Sequence, residues 1–135
     1  MSRAKTETLI RRYYAAFNAQ DMGTFLSLLD VRVAHDLNQG GREIGRTKFA
    51  RFMARMNASY RERLTGIRVM ASADGKFAAA EFMVHGRYLK TDKGLPKATG
   101  QRYKLPGGAF FDIRRGRIAR ITNYYNLQEW LTQIR

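Results

Sequence analysis

Through the first half of the chain apolar residues return every three or four positions, and past Leu64 they return at every second one. The first rhythm is that of amphipathic helices, the second that of half-buried strands. From about Lys5 to Ala19, Ile10, Tyr13, Tyr14 and Phe17 fall on one helical face, widened by Leu9 and Ala16, while Arg11, Arg12 and Asn18 lie off it. Asp21 is placed to cap a second, short helix in which Met22, Phe25, Leu26 and Leu29 repeat the spacing. Val31 to Leu37 reads as a strand, Asn38 to Gly41 as a turn, and Arg42 to Ile44 as a short returning strand. A third amphipathic helix is predicted from Arg46 or Thr47 to Arg63, with Phe49, Phe52, Met53, Met56 and Tyr60 as its apolar stripe.

The remainder reads as strands. Ile67, Val69 and Ala71 alternate with Arg68 and Met70, and Asp74-Gly75 is a hairpin signal. In the next strand, Phe77 to Thr91, the face of Phe82, Val84, Gly86 and Tyr88 should turn toward the helices, and that of Glu81, Met83, His85 and Arg87 away from them. A loop at Asp92 to Lys97 leads to a strand from Thr99 to Ile113, with a bulge or bend predicted at Pro106-Gly107-Gly108. After a turn at Arg114 to Gly116, the last strand points Ala119, Ile121, Asn123 and Tyr125 inward and Ile118, Arg120, Thr122 and Tyr124 outward. Asn126 can cap a terminal helical turn carrying Leu127, Trp130, Leu131 and Ile134. Three N-terminal helices followed by a curved, mostly antiparallel sheet make an α+β domain, and a bent sheet wrapped on helices leaves a conical end where a ligand fits.

Composition narrows this further. At 135 residues and 44% hydrophobic content the chain suits one domain, residues 1–135. Cysteine is absent, which removes disulfides and thiolate chemistry, and the two histidines lack metal-ligand spacing, so neither a metal nor another cofactor is called for. The amino terminus is polar and no apolar run is long enough to span a bilayer, so the expectation is a cytoplasmic protein without membrane attachment. The net charge of +14 changes the picture more. Arginine and lysine crowd between Arg46 and Arg63 and again between Arg114 and Arg120, a field that attracts polyanions at low salt. No nucleic-acid-binding motif accompanies it.

The candidate chemistry centres on His35 and Asp36, an ionisable pair inside an apolar strand. Asp36 as a general base must point into the cone, yet alternation from Val31 and Val33 sends His35 inward, and a bulge would reverse this. We take Asp36 first and keep His35 beside it. The bland reading ties Asp36 to an arginine and His35 to a backbone carbonyl. Tyr13 is either a core aromatic or an oxygen-binding hydroxyl. Phe17, Phe52, Met56, Phe82, Val84, Tyr88, Asn123 and Tyr125 are the expected ligand-binding wall.

Arg12-Tyr13, Ala15 to Ala19 and Asp21 resemble the opening helices of ketosteroid isomerases and of the wider nuclear transport factor 2-like, or SnoaL-like, superfamily. His35 to Gly41, Gly94-Leu95-Pro96, Gly107 to Phe111 and Tyr124-Tyr125-Asn126 look like its bacterial ketosteroid isomerase-related branch. The resemblance implies a small apolar carbonyl ligand, proton transfer beside the carbonyl, and pairing of two copies through the outer sheet face, where His85 would lie. It puts Tyr13 at the oxygen-holding tyrosine and, after a one-residue deletion, Asp36 at the base; ungapped, that position is Leu37. The second oxygen donor falls near Gly108, Ala109 or Phe110, none of which carries a carboxylic acid, so the full oxyanion hole of the isomerases is absent. A non-catalytic ligand-binding or dimerisation module and polyanion binding through the basic surface are the competing functions.

Overall fold

The computed structural model describes residues 1–135. Helices α1 (Arg3–Ala19) and α2 (Met22–Ser27) are followed by strands β1 (Leu29–Asp36) and β2 (Arg42–Ile44), helix α3 (Arg46–Ser59), four long strands β3 (Tyr60–Ala71), β4 (Phe77–Tyr88), β5 (Arg102–Arg114) and β6 (Arg117–Tyr125), and helix α4 (Leu127–Ile134). The strands form one mixed sheet in the order β2-β1-β6-β5-β4-β3, antiparallel except where β1 runs parallel to β6. Ser2 and Asp21 cap α1 and α2 through side-chain oxygens, and Asn126 caps α4 the same way. No helix is long and apolar enough to cross a membrane.

The apolar stripe of α1, with Leu9, Ile10, Tyr13 and Tyr14 buried, lies on the inner sheet face against Phe82, Ala109, Phe111 and Ile121. The hairpin at Gly75 fixes the start of that helix. There φ is +72°, and an added Cβ would lie 2.6 Å from the Ser2 carbonyl oxygen, so glycine meets both the turn and the close approach. The Thr6 hydroxyl donates to the Gly75 carbonyl at 2.6 Å. A smaller cluster of Tyr60, Tyr88, Tyr103, Leu105 and Ile134 binds α4 to the other end of the sheet. The edge of β5 that β6 leaves free is covered there by a side chain: Gln133 accepts from the Lys104 amide at 2.7 Å and donates to its carbonyl at 2.9 Å.

Four expectations are corrected. Helix α3 ends at Ser59, not Arg63, because from Tyr60 the chain pairs with β4 and alternates, turning Tyr60, Glu62 and Leu64 inward and Arg61 and Arg63 outward. The run through Pro106-Gly107-Gly108 is continuous ladder; Gly107 instead makes room, since a Cβ there would lie 2.9 Å from the Phe82 ring. Ile118 is fully buried, not outward, because a register shift separates it from Arg120. In β1, Val31 is 63% exposed although Leu29 and Val33 are buried, because the register against β6 also shifts between Leu29 and Ala34.

Candidate functional site

Between the inner sheet face and helices α1, α3 and α4 lies a cavity of about 410 Å³ with a mainly apolar lining. Strand alternation carries Phe82 and Val84 of β4, Asn123 and Tyr125 of β6, and Gly107 of β5 to its wall. Helical spacing brings Tyr13 and Phe17 from α1 and Phe52 and Met56 from α3. Of the predicted wall only Tyr88 is missing. It is fully buried behind the cavity, stacked on Tyr60 at 5.4 Å, its hydroxyl donating to the Pro96 carbonyl and accepting from the Asp92 amide. Its side chain organises the loop from Asp92 to Pro96.

Past the shift in β1, alternation sends Val33 and His35 inward. The imidazole is 3% exposed, with its centroid 4.5 Å from those of both Phe49 and Phe52, and its Nδ1 has no hydrogen-bond partner. The anticipated bond to a backbone carbonyl is not made. Burial lowers the imidazole's proton affinity more than Glu43 and Asp36 raise it, so the ring is held neutral. The Tyr14 hydroxyl and the Asn38 Nδ2 are likewise buried without partners, and both residues line the same cavity. Asn38 lies close to Tyr125, yet its Nδ2 still donates to nothing. Since buried polar groups are nearly always paired, three orphans around one hollow mark a place where a ligand or water supplies the missing bonds.

Asp36 also borders the cavity, but strand alternation turns its side chain to the outer face of the sheet. Its carboxylate takes two hydrogen bonds from Arg42, directly opposite on β2, and one from the Thr122 hydroxyl at 2.8 Å. Arg120 stands 4.0 Å from it and pairs with Asp112 at 3.0 Å. The Arg42 hydrogen bonds, with Thr122 and the two arginine charges, pull the carboxyl down to about 2. The inward-pointing Asp36 favoured from sequence is therefore corrected: strand parity gives the inner position to His35 and leaves Asp36 an ion-paired carboxylate with little proton affinity. Tyr13 does reach the cavity, stacked on Phe25 at 4.3 Å, and burial beside Tyr14 raises its proton affinity.

Sequence reasoning missed Glu62. It sits in register with Gly86 on β4 and Tyr103 on β5, and the Tyr103 hydroxyl donates to its Oε2 at 2.5 Å. Burial raises this carboxyl more than the tyrosine bond lowers it. Tyr60 donates to Asp92 at 2.8 Å nearby, and Trp130 meets Tyr103 edge-on at 5.9 Å. The Tyr60, Glu62, Leu64 alternation was legible, but the apolar stripe of α3 ran into it. The outer side of the same strands differs sharply. Arg61, Arg87 and Arg102 stand opposite one another across β3, β4 and β5, and Arg63, His85 and Lys104 form the next row.

The profile of the SnoaL-like domain matches residues 10–121. A solved protein of Pseudomonas putida, titled a "putative polyketide cyclase", is 58% identical, with 96% of this chain and 98% of that chain covered and a TM-score of 0.95. One of Xanthomonas campestris with the same title is 56% identical, covering 98% of both chains at a TM-score of 0.96. A "putative ketosteroid isomerase" of Kribbella flavida, 24% identical over 92% of this chain and 79% of that one, shares the fold at a TM-score of 0.67. No curated protein matches. With its helices packed in the concavity of a curved six-stranded sheet and the family profile covering most of its length, the chain belongs to the SnoaL-like domain family, on the nuclear transport factor 2-like fold.

Proposed function

We propose that this protein binds a small, largely apolar carbonyl compound in the cavity and moves a proton at the carbon beside the carbonyl. The observation that carries the reading is the convergence of three unpartnered polar groups, His35 Nδ1, the Tyr14 hydroxyl and Asn38 Nδ2, on one mainly apolar hollow. A neutral imidazole accepts the carbon-bound proton, becoming imidazolium as the carbonyl becomes an enolate. The Tyr14 hydroxyl donates to the enolate oxygen, with Tyr13 and Asn123 beside the ligand, and the proton returns from His35 to the carbon skeleton. The name shared by the Pseudomonas and Xanthomonas relatives, "putative polyketide cyclase", fits chemistry at a carbon next to a carbonyl.

The test uses tetralone, a bicyclic aryl ketone, in deuterated buffer. Wild-type protein is expected to speed deuterium uptake at the carbon beside the carbonyl, and His35→Gln to slow it about a hundredfold. Equal uptake in the two proteins removes His35 as the base. Because burial depresses its proton affinity, uptake should persist below pH 6.5 before protonation of the folded-state ring removes the base.

A second reading rests on the outer face, where Arg61, Arg87 and Arg102 in one row and Arg63 and Lys104 in the next offer a polyanion site. Binding of a labelled oligonucleotide should weaken steeply with added salt; a flat salt response excludes it. For assembly we propose pairing of two copies through the same face, where Phe110 and Tyr124 stand exposed and edge to face. Phe110→Asp should then halve the mass seen by sedimentation.

A further inference from the structure

We infer that Glu62 and Tyr103 form a second polar pole of the cavity, which selects carbonyl compounds carrying a hydroxyl group remote from the carbonyl. The inference rests on the carbonyl-binding reading above and names the substrate class within it.

The pole is built across three strands. Glu62, Gly86 and Tyr103 lie in register on β3, β4 and β5, with the glycine in the middle. A Cβ at Gly86 would come within 2.1 Å of the Tyr103 ring, so the ring lies over the glycine and reaches the carboxylate beyond it. Glycine at this position is what allows the Tyr103 to Glu62 bond to exist. Both residues line the cavity.

The carboxylate is under-supplied. The chain's three ion pairs all involve Asp36 or Asp112, so no cation reaches Glu62. Its hydrogen bond is the one from Tyr103 to Oε2, although a carboxylate has about four acceptor sites. Glu62 is half-buried and gives up part of its hydration, and a donor group brought by a ligand offsets that cost. The surrounding tyrosines, Tyr60 and Tyr125, are neutral phenols, and Tyr60 already donates to Asp92. What the site lacks is therefore one O–H or N–H donor.

Between a neutral hydroxyl and an ammonium group the whole molecule decides. A chain of net charge +14 repels a cationic ligand, whereas a hydroxyl enters without that opposition. A substrate with a carbonyl at the His35 and Tyr14 end and a hydroxyl or phenol at the other satisfies both poles at once. Hydrogen-bond recognition of this kind discriminates, because the analogue lacking the hydroxyl displaces water from the half-buried carboxylate without replacing its hydrogen bond.

The chain's single tryptophan, Trp130, lines the cavity and reports binding by its fluorescence. Tetralone and the hydroxytetralone with its phenol para to the carbonyl are titrated into wild type, Glu62→Gln and Tyr103→Phe, each first checked for a wild-type circular dichroism spectrum. Wild type is expected to bind the phenol about tenfold or more tightly than the parent ketone. Glu62→Gln should bring that ratio close to one, and Tyr103→Phe should reduce it severalfold by releasing Glu62 from its position. Should Glu62→Gln fail to fold, the ratio in Tyr103→Phe decides alone. A wild-type ratio near one overturns the inference, as does a ratio that survives in both variants. Those failures leave deuterium uptake on tetralone, and with it the reading at His35, standing. If neither ketone changes the Trp130 signal, the carbonyl-binding reading falls and takes this inference with it.

Discussion

His35 and Asp36 are neighbours in sequence and opposites in circumstance. One ring sits buried between Phe49 and Phe52; the next side chain is held by Arg42 and Thr122 on the far side of the sheet. The sequence identifies the pair, and alternation from Val31 and Val33 by itself turns His35 inward; the reading that favours Asp36 needs a bulge beside the pair, whereas the register shift in β1 falls between Leu29 and Ala34 and leaves His35 inside. Asp36 therefore bears on stability. Its folded-state proton affinity is lowered to about 2, so its contribution is present above the ordinary carboxylate value and is lost as pH falls from about 4 toward 2. Asp36→Asn should lower stability by about 1 kcal/mol at neutral pH and flatten that acid limb, measured by urea unfolding across pH. The same variant tests the site, since deuterium uptake on tetralone should be lost in His35→Gln and not in Asp36→Asn.

At the scale of elements, the helix-to-strand junction at Ser59 and Tyr60 hid the second half of the cavity's polar lining. Phe49, Phe52, Met53, Met56 and Tyr60 fit a helical period, and only pairing with β4 stops the helix before Glu62 can join it. The local mark of that pairing, the alternation of Tyr60, Glu62 and Leu64, is masked because Tyr60 also fits the helical period. The inward face of β4, by contrast, was fully legible, since Phe82, Val84, Gly86 and Tyr88 alternate without a break and all turn inward. Its glycine carries a sharp expectation. Gly86→Ala drives a methyl group into the Tyr103 ring, and the variant should lose about 2 kcal/mol by thermal unfolding as the tyrosine moves off Glu62. Little change in melting temperature would mean that Tyr103 has room to shift without consequence.

The molecule as a whole carries its charge unevenly. Like charges directly across a ladder repel, and here Arg61, Arg87 and Arg102 stand opposite one another across β3, β4 and β5, with Arg63 and Lys104 in the next row. Salt should therefore stabilise this fold. The melting temperature is expected to rise with sodium chloride, and Arg87→Gln, which removes the middle cation of one row, should raise it at low salt and weaken its salt dependence. The α+β class, the three helices and the apolar part of the cavity wall were readable in the chain, because each follows from a local period, whereas Glu62 and Tyr103 were not. The cation rows were not, since they arise only when three strands separated in sequence are brought into register.

The side chain of Gln133 presents an acceptor and a donor to Lys104 as the backbone of a neighbouring strand would. A single glutamine thus finishes an edge that would otherwise invite another chain to add a strand. Any fusion or truncation that loosens the last helical turn strips this cover from β5 and frees the segment carrying Trp130, so aggregation and a leaky cavity should arrive together. Purification tags are better placed at the other terminus.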